Sequence, residues 1–371
     1  MKSKDLGSMP RILLVNGGTI PHYRIPVYGY LGQCLHSYGF ELIVTAGSIQ
    51  PGNSHPVQFE YAQVVPTIPN LVRLLGERRI DAIIYWVNLR ELYLFPLLIA
   101  AKLLGKKTIY WGHGRDLANP QALIKNMANA AEHALSDAII LYAEHLRKYV
   151  QPAFQKKVFV ANNTLMFDHP GIRSRDEVLN EYGIQTRKNI ICIGRFEMRK
   201  RVERLVEAHA YLNRPDIGLI LVGPDTDGIL DGIKGENIYK LGPIYGEKKF
   251  DLLLAADVYC LPGAVGLSIV DAFQCGLPLV TEEGDESPEI MYLKDGENGF
   301  VVPRGDMAEM ARKLQLLLDD NALRQRFSEA AKREISENGH IGRLCSGFKD
   351  ALSHALCSGF RDGLEVCRAS H

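Results

Sequence analysis

Basic residues gather where a helix should begin. Arg195, Arg199, Lys200 and Arg201 follow the apolar run Ile190-Ile-Cys-Ile193 and precede a helical stretch starting near Val202. A helix N-terminus already carries partial positive charge, so cations there conflict with the dipole unless an anion is bound. The run is either a solvated charge cluster or a phosphate site. A second stretch has matching chemistry. Between Asp257 and Thr281 the pattern is strand, glycine loop, helix, glycine stop, strand. Pro262, Gly263 and Gly266 break the apolar run Val258 to Leu261 and let a ligand approach the backbone. Leu267, Val270, Ala272 and Phe273 recur at helical spacing, and Gly276 and Pro278 end the helix. Amides at Val265, Gly266 and Leu267 would open that helix and donate to an anion, with Asp271 the nearby carboxylate. An ordinary βαβ unit with glycine turns reads the same way.

Earlier in the chain, Gly112-His113-Gly114-Arg115 ends another apolar run. His113 titrates near neutrality and can donate or accept, so it suits ligand contact; the alternative is a turn histidine with satisfied hydrogen bonds. His36, His133, His145, His209 and His354 fall on helical stretches, where a surface or groove position is expected. The run Arg11-Ile-Leu-Leu-Val15 ends at Asn16-Gly17-Gly18, a tight turn or a close approach to a bound group. Pro21-His-Tyr23-Arg24 follows, and a helix from Arg24 carries Val27, Leu31 and Leu35. No GxGxxG is present, which disfavours a nicotinamide dehydrogenase.

The elements that must position these residues alternate. Strands are expected at 11–15, 41–45, 81–86, 107–111, 137–141 and 157–160, separated by helices that include 89–104 and 118–134. The polar tract 163–182 links to a second set, with strands at 189–194, 217–222, 238–241, 258–261, 279–281 and 299–302. Alternation of this kind predicts parallel sheets covered by helices, with ligands at the strands' C-terminal ends. Helices over 307–318 and 323–338 follow. The tail repeats Cys345-Ser-Gly-Phe-Lys-Asp-Ala-Leu as Cys357-Ser-Gly-Phe-Arg-Asp-Gly-Leu, read as a frayed or incidental tail. The 371 residues suffice for two domains, and 43 basic against 43 acidic residues argue against nucleic acid as partner. Seven scattered cysteines show no zinc spacing; Cys192 and Cys260, inside apolar runs, are expected as buried free thiols, which suits a reducing cytoplasm. The N-terminus has no signal-peptide core, and the apolar stretch 92–104 is too short to span a bilayer.

These landmarks, in this order, resemble the retaining glycosyltransferases of family 4. The resemblance covers about residues 11–340. It rests on Gly17-Gly18, Gly112-His113-Gly114, Val160-Ala-Asn-Asn163, Gly194-Arg195 with Lys200, Leu221-Val-Gly223, Leu241-Gly242, Ala256-Asp-Val258, the 262–278 loop and helix, Ser287-Pro-Glu289-Ile290 and Asp295-Gly-Glu-Asn-Gly-Phe300. It implies an α/β GT-B architecture: two Rossmann-like parallel-sheet domains facing across a cleft. Residues 1–168 would be the acceptor domain and 169–340 the nucleotide-sugar domain, with 341–371 a helical tail packing back on the first. The family usually carries two glutamates eight positions apart around the glycine loop; here those positions are Gly263 and Asp271.

The resemblance also implies roles. Arg195 and Lys200 would neutralise the diphosphate of a UDP- or GDP-sugar, helped by Gly17, Gly18 and loop amides at Val265, Gly266 and Leu267. Asp271 would hold the ribose, Glu289 would lie near the donor, and His113 would contact the sugar. Tyr23, Arg24 and Arg115 would orient a saccharide or lipid-linked saccharide. No metal or cofactor is implied. Transfer would retain configuration, and the enzyme would be cytoplasmic, with peripheral membrane contact through helices at 122–129 or 24–38. The rivals are a sugar-nucleotide epimerase of the same fold and a weakly catalytic nucleotide-sugar binder.

Overall fold

The computed structural model describes residues 8–51, 55–65, 67–85, 94–117, 121, 123–167, 173–284 and 287–357. The chain divides into two units, 1–166 with 341–371, and 167–340.

Unit 1 is built on a seven-stranded parallel sheet. Its strands are β1 (Arg11–Val15), β3 (Glu41–Ala46), β5 (Glu60–Gln63), β6 (Ala82–Tyr85), β7 (Lys107–Gly112), β8 (Ala138–Leu141) and β9 (Val158–Val160). Their spatial order is β5-β3-β1-β6-β7-β8-β9. β2 (Thr19–Ile20) and β4 (Ser48–Ile49) form a separate short pair beyond β1 and β3. The central strands are near-continuous aliphatic runs because helices cover both faces. β5, not anticipated from the sequence, is an edge strand, Glu-Tyr-Ala-Gln, in which Ala62 alone is buried. The covering helices are α1 (Arg24–Ser37), α2 (Ile68–Glu77), α3 (Leu94–Leu103) and α4 (Leu123–Leu135). The expected helix starts at 89 and 118, the end of the 81–86 strand and the link at 168–172 lie outside the described residues.

The tail is not a frayed end. After α9 (Met307–Asp319) and α10 (Asn321–Asn338), helix α11 (Ile341–Cys357) packs on β7, β8, β9 and α1 of unit 1. The first copy of the repeated sequence supplies its buried face. Phe348 meets Trp111 edge-on with centroids 5.0 Å apart. A Cβ at Gly347 would come within 2.2 Å of the Val160 carbonyl, so glycine is needed for this close approach. Cys345 is joined to Cys34 of α1 by a disulfide, with Cα atoms 6.5 Å apart. No sequence signal pointed to that pairing; Cys192 and Cys260 are free and buried as expected, and Cys275 is free and buried too. The second copy beyond Cys357 lies outside the described residues.

Unit 2 has a six-stranded parallel sheet. In chain order its strands are β10 (Lys188–Ile193), β11 (Ile217–Val222), β12 (Ile238–Lys240), β13 (Val258–Cys260), β14 (Leu279–Glu282) and β15 (Gly299–Val302). The spatial order β12-β11-β10-β13-β14-β15 reverses direction between β10 and β13. That reversal is the switch point at which doubly wound sheets open a crevice for ligands. The helices are α5 (Arg175–Glu181), α6 (Val202–Leu212), α7 (Glu247–Ala255), α8 (Ser268–Gln274), α9 and α10. α5 begins with a Ser174–Glu177 capping box, and α9 and α10 with Asp306 and Asp320 side-chain caps.

Candidate functional site

The two loops singled out from the sequence both leave the switch point of unit 2. One follows β10 and carries Arg195 to Arg201; the other follows β13 and carries Pro262 to Leu267. Gly194 and Gly223 make the first turn possible. Both have positive φ, and a Cβ on Gly223 would fall 1.8 Å from the Gly194 carbonyl oxygen. Phe196 N–H then donates to Pro224 O at 2.9 Å, which holds the loop over the end of β11.

Within this edge the structure brings Lys200, Val265 and Gly266 together. The Lys200 ammonium donates to the carbonyls of Ala264 and, at 3.3 Å, Val265. The Gly263 amide donates to Lys200 O at 2.9 Å and the Ala264 amide to Arg199 O at 3.1 Å. The loops are so close that a Cβ on Gly263 would lie 2.1 Å from the Arg199 carbonyl oxygen. The position where the resemblance would place a glutamate is therefore filled by backbone. Gly266 is left-handed (φ 60°), and its amide donates to Ser287 Oγ at 3.3 Å. Leu267 is the N-cap of α8 and makes no side-chain cap.

Arg195 is exposed, with Nε 3.3 Å from Glu197 Oε1, while Arg199 Nε takes the other oxygen at 2.6 Å. Burial opposes charge on Glu197, but Arg199, Arg195 and Lys200 outweigh it and hold the carboxyl below its usual range. Asp271 is engaged by Lys249 of α7 at 2.7 Å, with both side chains largely buried. Glu289 lies on the 3-10 turn Pro288–Tyr292, which packs against α8, and is buried. Lys249 had no sequence signal, because its pairing depends on how α7 meets α8. Glu282 was also missed: it ends β14 with a fully buried side chain and accepts from Arg201 at 2.8 Å and Arg204 at 2.6 Å. A carboxylate closing an apolar strand at the ligand end was the available signal.

Gly17 and Gly18, expected with the donor residues, belong to unit 1. They follow β1, where Gly18 has φ 65° and its carbonyl accepts from Gly47 N–H at 2.8 Å. At this edge of unit 1 the groups are aromatic and mostly buried. Arg24 is buried at the start of α1, donates to Asn163 Oδ1 at 2.9 Å and lies 5.5 Å above the Trp111 ring. Tyr23 is exposed beside it, 5.7 Å from the guanidinium. Tyr28 donates to Asn16 Oδ1 at 2.9 Å. His113 packs edge-on against Tyr142, centroids 4.9 Å apart. Burial, with the Arg24 charge adding and Asp116 opposing, pushes its imidazole down to about 4, so it is neutral at physiological pH. The loop carrying it is propped from below, because Gly114 (φ 75°) donates its N–H to Tyr110 Oη at 2.9 Å. Arg115 stacks on Tyr149 at 4.9 Å.

Beneath that prop, the structure corrects the surface expectation for His133. It is buried on α4, its ring 4.9 Å from Tyr110, and burial, then Lys157, pushes it down to about 4. Its neighbour Glu132 is buried with no hydrogen-bond partner on either carboxylate oxygen, and burial pushes it up to about 8. Among the described residues, no group of three or more His, Cys, Asp or Glu could hold a metal, and no helix is long and apolar enough to cross a membrane.

Comparison with known proteins matches the unit that carries the Lys200 loop. The model of the family "Glycosyl transferases group 1" matches residues 174–334, nearly all of unit 2. A phosphatidyl-myo-inositol mannosyltransferase of Mycobacterium leprae (strain TN) is 32% identical over 158 residues, 40% of this chain and 42% of that protein. The lipopolysaccharide core biosynthesis glycosyltransferase LpsE of Rhizobium meliloti (strain 1021) is 31% identical over 154 residues, 38% of this chain and 42% of that one. The chain thus matches less than half the length of these curated relatives. Over nearly its whole length the fold is shared with HepE of Anabaena, solved in complex with UDP-glucose: TM-score 0.73 at 17% identity, over 92% of this chain and 99% of that one. Residues 174–334 match the glycosyl transferases group 1 family, in a chain with the GT-B fold.

Proposed function

We propose that this protein transfers a sugar from a nucleotide-diphosphate sugar to a saccharide or lipid-linked saccharide, with retention of configuration. The observation that carries this reading is the Lys200 ammonium held against the glycine loop at the switch point of unit 2, with the exposed Arg195 on the same loop. Two cations at a strand-to-helix junction suit a diphosphate. As the bond from the anomeric carbon to the phosphate oxygen breaks, the electron pair goes to the diphosphate, and Arg195 and Lys200 stabilise that charge. The acceptor hydroxyl forms the new bond to the anomeric carbon, and its proton passes to the departing phosphate oxygen. Asp271 holds the nucleoside ribose, and Glu289 buttresses the donor loop through its packing on α8. In unit 1 the neutral His113 serves sugar hydroxyls, while Tyr23, Arg24 and Arg115 belong to the acceptor side.

The names of the two curated relatives, a phosphatidyl-myo-inositol mannosyltransferase and a lipopolysaccharide core biosynthesis glycosyltransferase, support a lipid-linked acceptor. Of the two helices considered for membrane contact, α4 is favoured: Leu123, Ile124 and Met127 are 76%, 79% and 72% exposed. On α1, by contrast, most apolar residues are buried. A thermal-shift screen of UDP- and GDP-sugars tests the donor reading, because a ligand bound to the native state raises the melting temperature. Product analysis with and without added acceptor then separates transfer from epimerisation, and the anomeric coupling of the product reads retention. No shift with any nucleotide sugar would overturn the proposal.

A further inference from the structure

Helix α6 starts in an unusual way. Like α7 and α8 it has no side-chain cap, but the residue at its N-cap, Arg201, is a non-glycine in the left-handed region, with φ 53° and ψ 38°. For a residue with a Cβ this conformation carries a steric cost that glycine avoids. It is also the pivot between the 3-10 turn Met198–Lys200 and the helix. What holds it is Glu282. That side chain is 0% exposed at the end of β14, and its Oε2 accepts from Arg201 and from Arg204, one turn further along α6. Its Oε1 is buried without a hydrogen-bond partner, so the whole of its polar bonding goes through the oxygen that the two arginines share. A buried carboxylate is tolerated only when paired this well, and removing one member leaves the others uncompensated.

Arg201 is covalently next to the two residues that seat the glycine loop. Arg199 O and Lys200 O receive the Ala264 and Gly263 amides, and the Lys200 ammonium returns to Ala264 O and Val265 O. The 199–200 backbone therefore sets where the loop sits, and the Arg201 turn sets the 199–200 backbone. We propose that Glu282 is a positioning residue for the donor site: through Arg201 and Arg204 it holds the left-handed turn that sets Lys200 against the glycine loop. The inference rests on the donor reading above. It predicts that a strained arginine here is functional because a buried anion at the end of β14 compensates it.

The test pairs amide hydrogen exchange of residues 261–267, which needs no ligand, with titration of UDP and GDP. Glu282→Gln should speed exchange across 261–267 and weaken nucleotide binding about tenfold. Adding Arg201→Gly to Glu282→Gln should recover most of both effects, because glycine takes the left-handed turn without an anchor. If Glu282→Gln does not fold, the contrast between Arg201→Ala and Arg201→Gly decides: alanine keeps the steric cost and loses the anchor, so it must be the weaker binder with the faster exchange. Unchanged exchange in Glu282→Gln, absent rescue, or equal behaviour of the alanine and glycine variants would overturn the proposal. If Lys200→Ala leaves nucleotide binding intact, the donor reading fails instead, and the exchange data still judge the role of Glu282.

Discussion

The edges at the strands' C-terminal ends share a scaffold in the two units and differ in chemistry. In unit 2 the polar groups are ions in pairs: Lys249 with Asp271, Arg201 and Arg204 with Glu282, Arg195 and Arg199 with Glu197. In unit 1 most are aromatic or neutralised by burial, with His113 and His133 pushed down to about 4, Glu132 up to about 8, and the Tyr28 and Tyr110 hydroxyls raised, while Arg24 and Arg115 lie over the rings of Trp111 and Tyr149. Parallel strands ending at a crevice do not dictate what binds there. An edge with fixed cations answers to an anion such as a diphosphate. An edge where aromatic faces and neutral donors predominate answers to hydroxyl-rich, uncharged groups.

Breaking each edge in turn tests that contrast. Lys200→Ala should lower the transfer rate about 10²–10³-fold, the scale of losing one group that stabilises developing charge. Arg195→Ala should lower it less, because that side chain is mostly in solvent. Steady-state kinetics that show near-wild-type rates for both would remove the ionic edge from the chemistry. His113→Ala should cost about 10–100-fold in kcat with the KM for the nucleotide sugar unchanged, as expected of a group acting by hydrogen bonding on the sugar side. A raised donor KM with normal kcat would contradict the division of labour. Gly263→Ala presses a methyl against the Arg199 carbonyl oxygen 2.1 Å away, and should cost about 1–3 kcal/mol in chemical denaturation. A neutral effect would mean the two loops are not seated on each other.

The smallest expected effect is the pH slope contributed by His113, His133 and Glu132 of unit 1. The folded values of His113 and His133 lie below the unfolded value near 6.5. The unfolded chain therefore binds protons first, and stability falls as pH drops from about 6.5 towards about 4. Glu132 works the other way. Its folded value near 8 lies above the unfolded value near 4.5, so its contribution is complete below about 4.5 and is lost as pH rises to about 8. Glu132→Gln should abolish only the second limb. Its melting temperature relative to wild type should rise by several degrees between about pH 5 and about pH 8. Parallel melting curves would show that the carboxyl is not buried as described.

What could be read from the sequence was whatever one segment carries by itself. The aliphatic runs at β1, β3, β7, β8, β10 and β11 announce buried parallel strands, and the glycines at 194, 263, 266 and 276 mark turns the backbone requires. β5 escaped because an edge strand with one buried alanine has no apolar signature. The roles of Cys345, Gly347 and Phe348 escaped because each is defined by a partner far away in the chain, namely Cys34, Val160 and Trp111. The same holds at the site. Lys200 was visible as part of a basic run, but its seat on Ala264 and Val265 was not, nor was the buried Glu282 behind Arg201. Long-range pairing follows from topology, and no local pattern encodes it.

The Cys34–Cys345 disulfide closes the chain on itself across a sequence separation of 311. Every residue of unit 2 lies inside that covalent ring. A single proteolytic cut anywhere between the two cysteines opens the ring and releases nothing. The oxidised protein gains only one water in such a nick, and two fragments part only once the disulfide is reduced and the remaining contacts are denatured.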